Sequence, residues 1–204
     1  MPTEIEVKLR LPGEWVIQPV LEDARVTACM MREFSETEME AEYYDTDQGE
    51  LSDRQWSLRL RREGGVSVAA CKTAGTRDGA MFSRSEWQVN APDIESAVPL
   101  LVDEGAPGAL LLLAGRLLPR CSSRFTRTAA PLSLPDGSTA ELALDRGELL
   151  AGEKREELLE LELELLTGES AGMLELAAYL EIKYALSKEY NSKYARALRL
   201  IRSR

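Results

Sequence analysis

From Thr3 to Leu11 charged and apolar residues alternate without a break. Glu4, Glu6, Lys8 and Arg10 share one parity, and Ile5, Val7, Leu9 and Leu11 the other. Successive side chains of a strand point to opposite faces, so this segment reads as a strand with one charged and one apolar face. The pattern then returns. Ser57/Arg59/Arg61, Ala70/Lys72, Arg84/Glu86/Gln88, Glu141/Ala143/Asp145 and Glu160/Glu162/Glu164 are further polar sets. Against them stand Leu58/Leu60, Ser85/Trp87/Val89, Leu142/Leu144 and Leu161/Leu163/Leu165. In a single strand the charged face would simply meet water. Repetition changes that, because segments 93–101, 109–118 and 170–183 read as helices with apolar stripes, which must be buried against something. The apolar strand faces are therefore expected to point outward beneath the helices. The charged faces then surround a wet lumen. So many enclosed charges are tolerable only if the signs interleave and a ligand or metal completes the pairing.

Strands are expected at 3–11, 31–45, 56–62, 66–73, 82–89, 122–128, 139–145 and 157–166. Further helices are expected at 13–22 and 189–201, and Asp93 is placed to cap the helix at 93–101. Asp47-Gln48-Gly49, Gly64-Gly65, the Gly75–Gly79 segment, Asp136-Gly137 and Arg146-Gly147 read as turns. There is no repeat, low-complexity tract or linker. The expected fold is α+β dominated by β: one domain over residues 1–204, built as a closed antiparallel eight-stranded barrel with helices outside.

Composition narrows the chemistry. With 25 Lys and Arg against 35 Asp and Glu, the net charge is −10, a poor basis for non-specific binding of nucleic acid. The longest apolar run, Ala109 to Ala114, falls far short of the ~18–20 residues of a spanning helix. The acidic opening, Met1-Pro2-Thr3-Glu4-Ile5-Glu6, does not resemble a secretory signal. Histidine is absent, which removes His-based triads and His-ligated zinc. Cys29, Cys71 and Cys121 form no CxxC pair and read as reduced thiols, so a cytoplasmic location without membrane or nucleic-acid partners is expected. Any metal must be held by carboxylates, which selects Mg²⁺ or Mn²⁺. Arginines and lysines bind phosphate oxygens by charge-assisted hydrogen bonds, and paired carboxylates can hold a cation that bridges them. A linear polyphosphate suits such a lumen.

Glu4-Ile5-Glu6-Val7-Lys8 resembles the ExExK strand of the CYTH superfamily, the triphosphate tunnel metalloenzymes. Tyr43-Tyr44-Asp45-Thr46 and the segment from Trp56 to Gly65 are similar to its YYDT and WxLRLRREGG segments. Arg84-Ser85-Glu86-Trp87 resembles its RxE strand, and Phe125-Thr126-Arg127 its mid-chain strand ending in arginine. Glu141 to Gly147 follows its E-x-x-x-D-x-G pattern, and Glu160 to Leu165 its carboxylate-rich late strand. Ser192-Lys193-Tyr194-Ala195-Arg196-Ala197 is similar to its closing SKAERGY, with the acid and the glycine replaced. The resemblance spans nearly the whole chain and is nearest to the bacterial inorganic-triphosphatase branch.

The resemblance implies a role for each of these positions. Glu4 and Glu6 lie ~6.6–6.8 Å apart on one strand face. They would share a cation with Glu162 and Glu164, with Asp145 nearby. Lys8, Arg59, Arg61, Lys72, Arg84 and Arg127 would clamp phosphate, whereas Arg62 faces the other way. Parity allows only one of Arg124 and Arg127 inside, and Arg127 is the choice. Glu86 and Glu141 are candidates for a second metal or for pairing with lumen arginines. Glu160 and Arg196 are left open. Lys193 either closes the tunnel onto substrate or is exposed. Trp56, Trp87 and the tyrosines read as packing groups, Tyr44 being the one considered for a ligand contact.

The implied reaction is hydrolysis of inorganic triphosphate to pyrophosphate and phosphate, by a monomer or homodimer. Glu4, Glu6, Lys8 and Lys72 are the catalytic candidates. The proton acceptor stays open among a carboxylate, a lysine of lowered pKa and metal-bound hydroxide. Alternatives are hydrolysis of nucleoside or thiamine triphosphate, cyclisation of ATP as in class IV adenylyl cyclases, and a non-catalytic polyphosphate or nucleotide sensor.

Overall fold

The computed structural model describes residues 3–78 and 81–202. Ten strands run in chain order: β1 (Thr3–Arg10), β2 (Ser35–Asp45), β3 (Ser57–Glu63), β4 (Val66–Lys72), β5 (Thr76–Asp78), β6 (Met81–Asn90), β7 (Leu118–Ser133), β8 (Thr139–Ala151), β9 (Lys154–Thr167) and β10 (Ser187–Lys188). The helices are α1 (Ile17–Leu21), α2 (Ala24–Cys29), α3 (Glu50–Asp53), α4 (Ile94–Asp103), α5 (Ala109–Leu113), α6 (Ala171–Lys183) and α7 (Lys193–Arg202). Every pairing is antiparallel. The order β1-β9-β8-β7-β2-β3-β4-β6 returns to β1, so these eight strands close a barrel, with β10 and β5 as short additions on β1 and β6. β1 is the closing element. Its residues 3–6 pair with β6 and its residues 6–10 with β9.

The apolar strand faces do point outward. Val7, Leu9, Leu142, Leu144, Leu161 and Leu163 are buried under α1, α2 and α6. Leu58, Leu60, Ala69, Cys71 and Trp87 are buried under α4 and α5. A third apolar cluster lies on the inner barrel face, where Tyr194 and Ala197 of α7 meet Met39, Tyr43, Cys121, Phe125, Leu149 and Leu158. The α7 helix therefore stoppers one end of the barrel.

Several expected boundaries move. The helix expected at 109–118 ends as α5 with a 3₁₀ turn, Ala114–Arg116, because Leu118 already belongs to β7. The helix expected at 189–201 starts only at Lys193, since residues 187–188 pair with β1. Arg146-Gly147 is no turn: β8 runs straight through it, and the reversal comes at Gly152, whose φ is +61°. Gly147 is required for another reason. Any Cβ there would collide with the Arg124 carbonyl and the Phe125 backbone across the β7–β8 ladder. The expected turn at 75–79 contains β5, and its Gly79 lies outside the described residues.

Candidate active site: a charged tunnel

Register brings the inward-facing sets together. Glu4 stands opposite Arg84, Glu6 opposite Glu164 and Lys8 opposite Glu162 on the two seams of β1. Arg127 stands opposite Asp145, and Lys72 opposite Glu86. Lys8, Arg59, Arg61, Lys72, Arg84, Arg127 and Lys193 line one cavity of about 160 Å³ with Glu4, Glu6, Glu86, Glu141, Glu162 and Glu164. A chamber of about 440 Å³ adjoins it past Glu6, Lys8 and Arg84, and another of about 430 Å³ past Glu4, Glu86 and Glu164. Arg62 and Arg124 face outward, Arg124 pairing with Glu40 at 3.2 Å.

The ion pairs fall into two nests. In the first, Glu4 accepts from Lys72 Nζ at 2.5 Å and from Arg84 Nε at 2.7 Å, and Glu6 accepts from Lys8 Nζ at 2.6 Å. Burial alone would raise the Glu4 carboxyl, but the charges of Lys72 and Arg84 outweigh it and hold Glu4 well below the usual range. Burial pulls Lys72 down despite its carboxylate neighbours, Arg84 and Arg59 adding to the effect.

In the second nest, Arg127 donates from Nε and Nη2 to the two oxygens of Asp145 at 2.8 and 2.7 Å. Lys193 reaches in from α7 to Asp145 at 2.8 Å, to Glu162 at 2.9 Å and to Glu160. Arg196 donates to the other oxygen of Glu160 at 2.8 Å. Asp145, Glu160 and Glu162 hold carboxylate oxygens within 4.8 Å of one another, the spacing of a cation site. Here Lys193, Arg127 and Arg196 already neutralise them. Lys193 is thus a buried member of the tunnel. Glu160 and Arg196, both left open by the sequence, are buried there too.

Glu164 is the exception. It is half-buried and, among the described residues, its carboxylate takes part in no hydrogen bond or ion pair. Burial, joined by the charges of Glu4, Glu86 and Glu162, pushes its carboxyl up to about 7. A carboxylate held in acidic company is what a hard divalent cation would relieve, so the donor set around Glu4, Glu86 and Glu164 fits such an ion.

The arginines show the complementary deficit. Arg59 is partly buried, its enclosed Nε has no hydrogen-bond acceptor, and its ion pair with Glu86 spans 3.6 Å. Arg61 Nε lies 2.8 Å from Glu63 Oε2 without the alignment of a hydrogen bond. Burial and the neighbouring guanidinium of Arg59 lower Arg61, an arrangement that an anion would reverse.

A family model for the CYTH domain matches residues 2–198. The chain belongs to the CYTH family. An inorganic triphosphatase of Haemophilus influenzae is 32% identical over 127 residues, 62% of this chain, and the match spans 35% of that protein's length. Solved structures share this fold. One is a Hippeastrum protein described as a candidate adenylyl cyclase with a dominant triphosphatase activity, at TM-score 0.64 and 20% identity over 96% of this chain and 95% of that one. The PH1819 protein of Pyrococcus horikoshii has TM-score 0.56 at 19% identity, over 96% and 98%. A candidate adenylate cyclase of Vibrio parahaemolyticus has 0.55 at 19%, over 96% and 97%. Among the described residues no helix is long and apolar enough to cross a membrane.

Two features of this CYTH tunnel escaped sequence reasoning. The lumen tyrosine is Tyr43, stacked on Tyr194 with centroids 5.4 Å apart, whereas Tyr44 points outward and bonds Glu42 at 2.8 Å. Parity carries the signal, since Tyr43 shares its face with Met39 and Ala41. The second is Asp45, a buried carboxylate in the YYDT segment that accepts from the Tyr194 hydroxyl at 3.0 Å.

Proposed function

We propose that this protein is a cytoplasmic, metal-dependent phosphoanhydride hydrolase that cleaves inorganic triphosphate to pyrophosphate and phosphate. The observation that carries it is the unsatisfied arginine wall. Arg59 and Arg61 on β3 are partly buried, their Nε groups enclosed without a hydrogen-bond acceptor, and they line the lumen with carboxylates on β1 and β9. Buried donors without acceptors are costly, and phosphate oxygens are the acceptors that planar guanidinium groups fit best.

In this reading Lys8, Arg59, Arg61, Lys72, Arg84, Arg127 and Lys193 bind and orient the polyphosphate. Six cations on five strands and Lys193 on α7 fix a flexible linear anion in one pose and offset charge as it shifts toward the leaving group, which is most of what phosphoryl transfer requires. Glu4, Glu6, Glu162 and Glu164 would hold Mg²⁺ or Mn²⁺, with Asp145, Glu86 and Glu141 as further candidate ligands. Such an ion supplies Lewis-acid stabilisation of phosphate oxygens and a more acidic bound water. Glu164, raised into the neutral range, is the carboxylate best poised to take a proton, and Lys72 is the lysine best poised to give one up. Three free cysteines accord with a reducing compartment.

The test is phosphate release from triphosphate, pyrophosphate, ATP and thiamine triphosphate, each with Mg²⁺ and with Mn²⁺. Triphosphate should be the preferred substrate, with no turnover in chelator. Preference for an organic triphosphate, or binding without release, would replace this assignment.

A further inference from the structure

Asp45 lies at the end of β2, outside the tunnel, with 1% of its surface exposed. Its Oδ1 accepts from the backbone N–H groups of Thr46 and Leu51, each at 2.8 Å. Its Oδ2 accepts from Ser52 N–H and from the Tyr194 hydroxyl, each at 3.0 Å. One carboxylate therefore joins β2, the first turn of α3 and the stopper helix α7. Tyr194 is itself buried, with its ring on Tyr43 of the lumen wall. The preceding residue is Lys193, whose ammonium meets Asp145, Glu160 and Glu162. At the first turn of α7, Ser192 Oγ accepts from Ala195 N–H at 3.1 Å. The rotation of this turn about the helix axis is fixed by the Tyr194 hydroxyl, by Arg196 on Glu156, Glu157 and Glu160, and by the apolar seat of Tyr194 and Ala197.

We infer that Asp45 is a positioning residue: through the Tyr194 hydroxyl it sets the rotation of α7 and so delivers Lys193 to the carboxylates of the tunnel. The catalytic consequence rests on the proposed function, but the geometry does not. Burial and the facing Asp45 charge raise the Tyr194 hydroxyl well above the ordinary tyrosine range, so it remains a donor at any physiological pH. Tyr43 and Tyr194 can stack without the hydroxyl. Removing that oxygen alone therefore loosens the rotation of α7 while keeping its apolar seat.

The experiment is a double-mutant cycle between Tyr194→Phe and Lys193→Met, read in two ways. In protein labelled with ¹⁵N-lysine, the buried Lys193 ammonium should give a slowly exchanging resonance, assigned by its loss in Lys193→Met. Tyr194→Phe should shift or broaden that resonance, and Asp45→Asn, where it folds, should do the same. In triphosphate hydrolysis, Tyr194→Phe should lower kcat/KM about tenfold, the scale of one hydrogen bond to a charged group. In the Lys193→Met background it should change little. A purely structural Tyr194 would cost the same factor in both backgrounds and leave the resonance in place; either result overturns the inference. If the wild type releases no phosphate from triphosphate, the proposed function fails and the resonance alone upholds or overturns the positioning role.

Discussion

Glu4 and Arg84 stand directly opposite one another on the β1–β6 seam, and Glu4 Oε2 accepts from Arg84 Nε at 2.7 Å. The contact that closes the barrel is also a contact of the candidate site. Glu4 further compensates Lys72, so two buried cations depend on it. Glu4→Gln should therefore abolish phosphate release and also destabilise the metal-free protein by about 3 kcal/mol, the scale of breaking a buried ion pair. Denaturant unfolding in chelator measures this. Unchanged stability would mean that Lys72 and Arg84 find other partners.

Glu164→Gln should act in the opposite direction. The carboxyl titrates near 7 in the folded protein against 4.5 for an ordinary glutamate. The folded state then holds the extra proton between those values, so this group's contribution is full below about 4.5 and is lost as pH rises through 7. In chelator, Glu164→Gln should be more stable than wild type by about 3 kcal/mol at pH 8 and equal to it at pH 4. Equal stability at both pH values would show that Glu164 is well solvated.

Arg59→Ala and Arg61→Ala should each weaken triphosphate binding about 10–100-fold, as expected for loss of a charge-assisted hydrogen bond. Arg62→Ala, on the outer face, should change it less than about twofold. Calorimetric titration decides. If Arg62→Ala proved the most damaging, polyphosphate would bind outside the barrel.

Triphosphate should raise the melting temperature even with Ca²⁺ present and turnover stopped. At 100 times its dissociation constant a ligand adds about 2.7 kcal/mol, a shift of roughly 5–10 °C for a chain of this size. Pyrophosphate should give less and phosphate almost nothing, because shorter anions reach fewer walls. Equal shifts from all three at matched ionic strength would indicate general charge screening.

Asp23 gives a prediction remote from the tunnel. It caps α2 and is held by Lys183 Nζ at 2.6 Å and by the hydroxyls of Tyr184 and Tyr179 at 2.7 and 3.1 Å. Burial would raise its carboxyl, but these donors bring it down to about 2 from 3.8. The unfolded chain then binds the proton first as pH falls, so the stabilisation is present above about 3.8 and is lost as pH drops through 2. Asp23→Asn should cost about 2 kcal/mol at pH 7 and progressively less toward pH 2. A constant difference across that range would assign the cost to packing alone.

Strand parity made the lumen legible. Glu4, Lys8, Arg59, Lys72 and Glu162 each announce their face by alternation, and a one-residue slip would turn every one of them outward. What alternation cannot convey is pairing across distant strands or the seating of a helix. The acidic group at Asp145, Glu160 and Glu162 therefore read as a metal site or as open, because nothing local indicates that α7 fills it with Lys193. Asp45 was hidden for a similar reason, since it closes β2 where the alternation stops at the Tyr43/Tyr44 bulge. Gly147 misled because glycine marks turns more often than close strand contacts.

The double pairing of β1 also sets the timing of assembly. Its partners, β6 and β9, end at Asn90 and Thr167, so the seam that closes the barrel waits for β9, the ninth of the described strands. At ordinary rates of elongation, Glu6 precedes its neighbour Glu164 from the ribosome by on the order of ten seconds. Residues 3–6 of β1 can pair with β6 once Asn90 is made, but through that interval residues 6–10 lack their β9 partner, and the strands can form an open sheet but no tube. Substitutions in Ile5, Val7 or Leu9 should therefore act on the last and slowest step of folding, and lower the yield of native protein more than they lower its melting temperature.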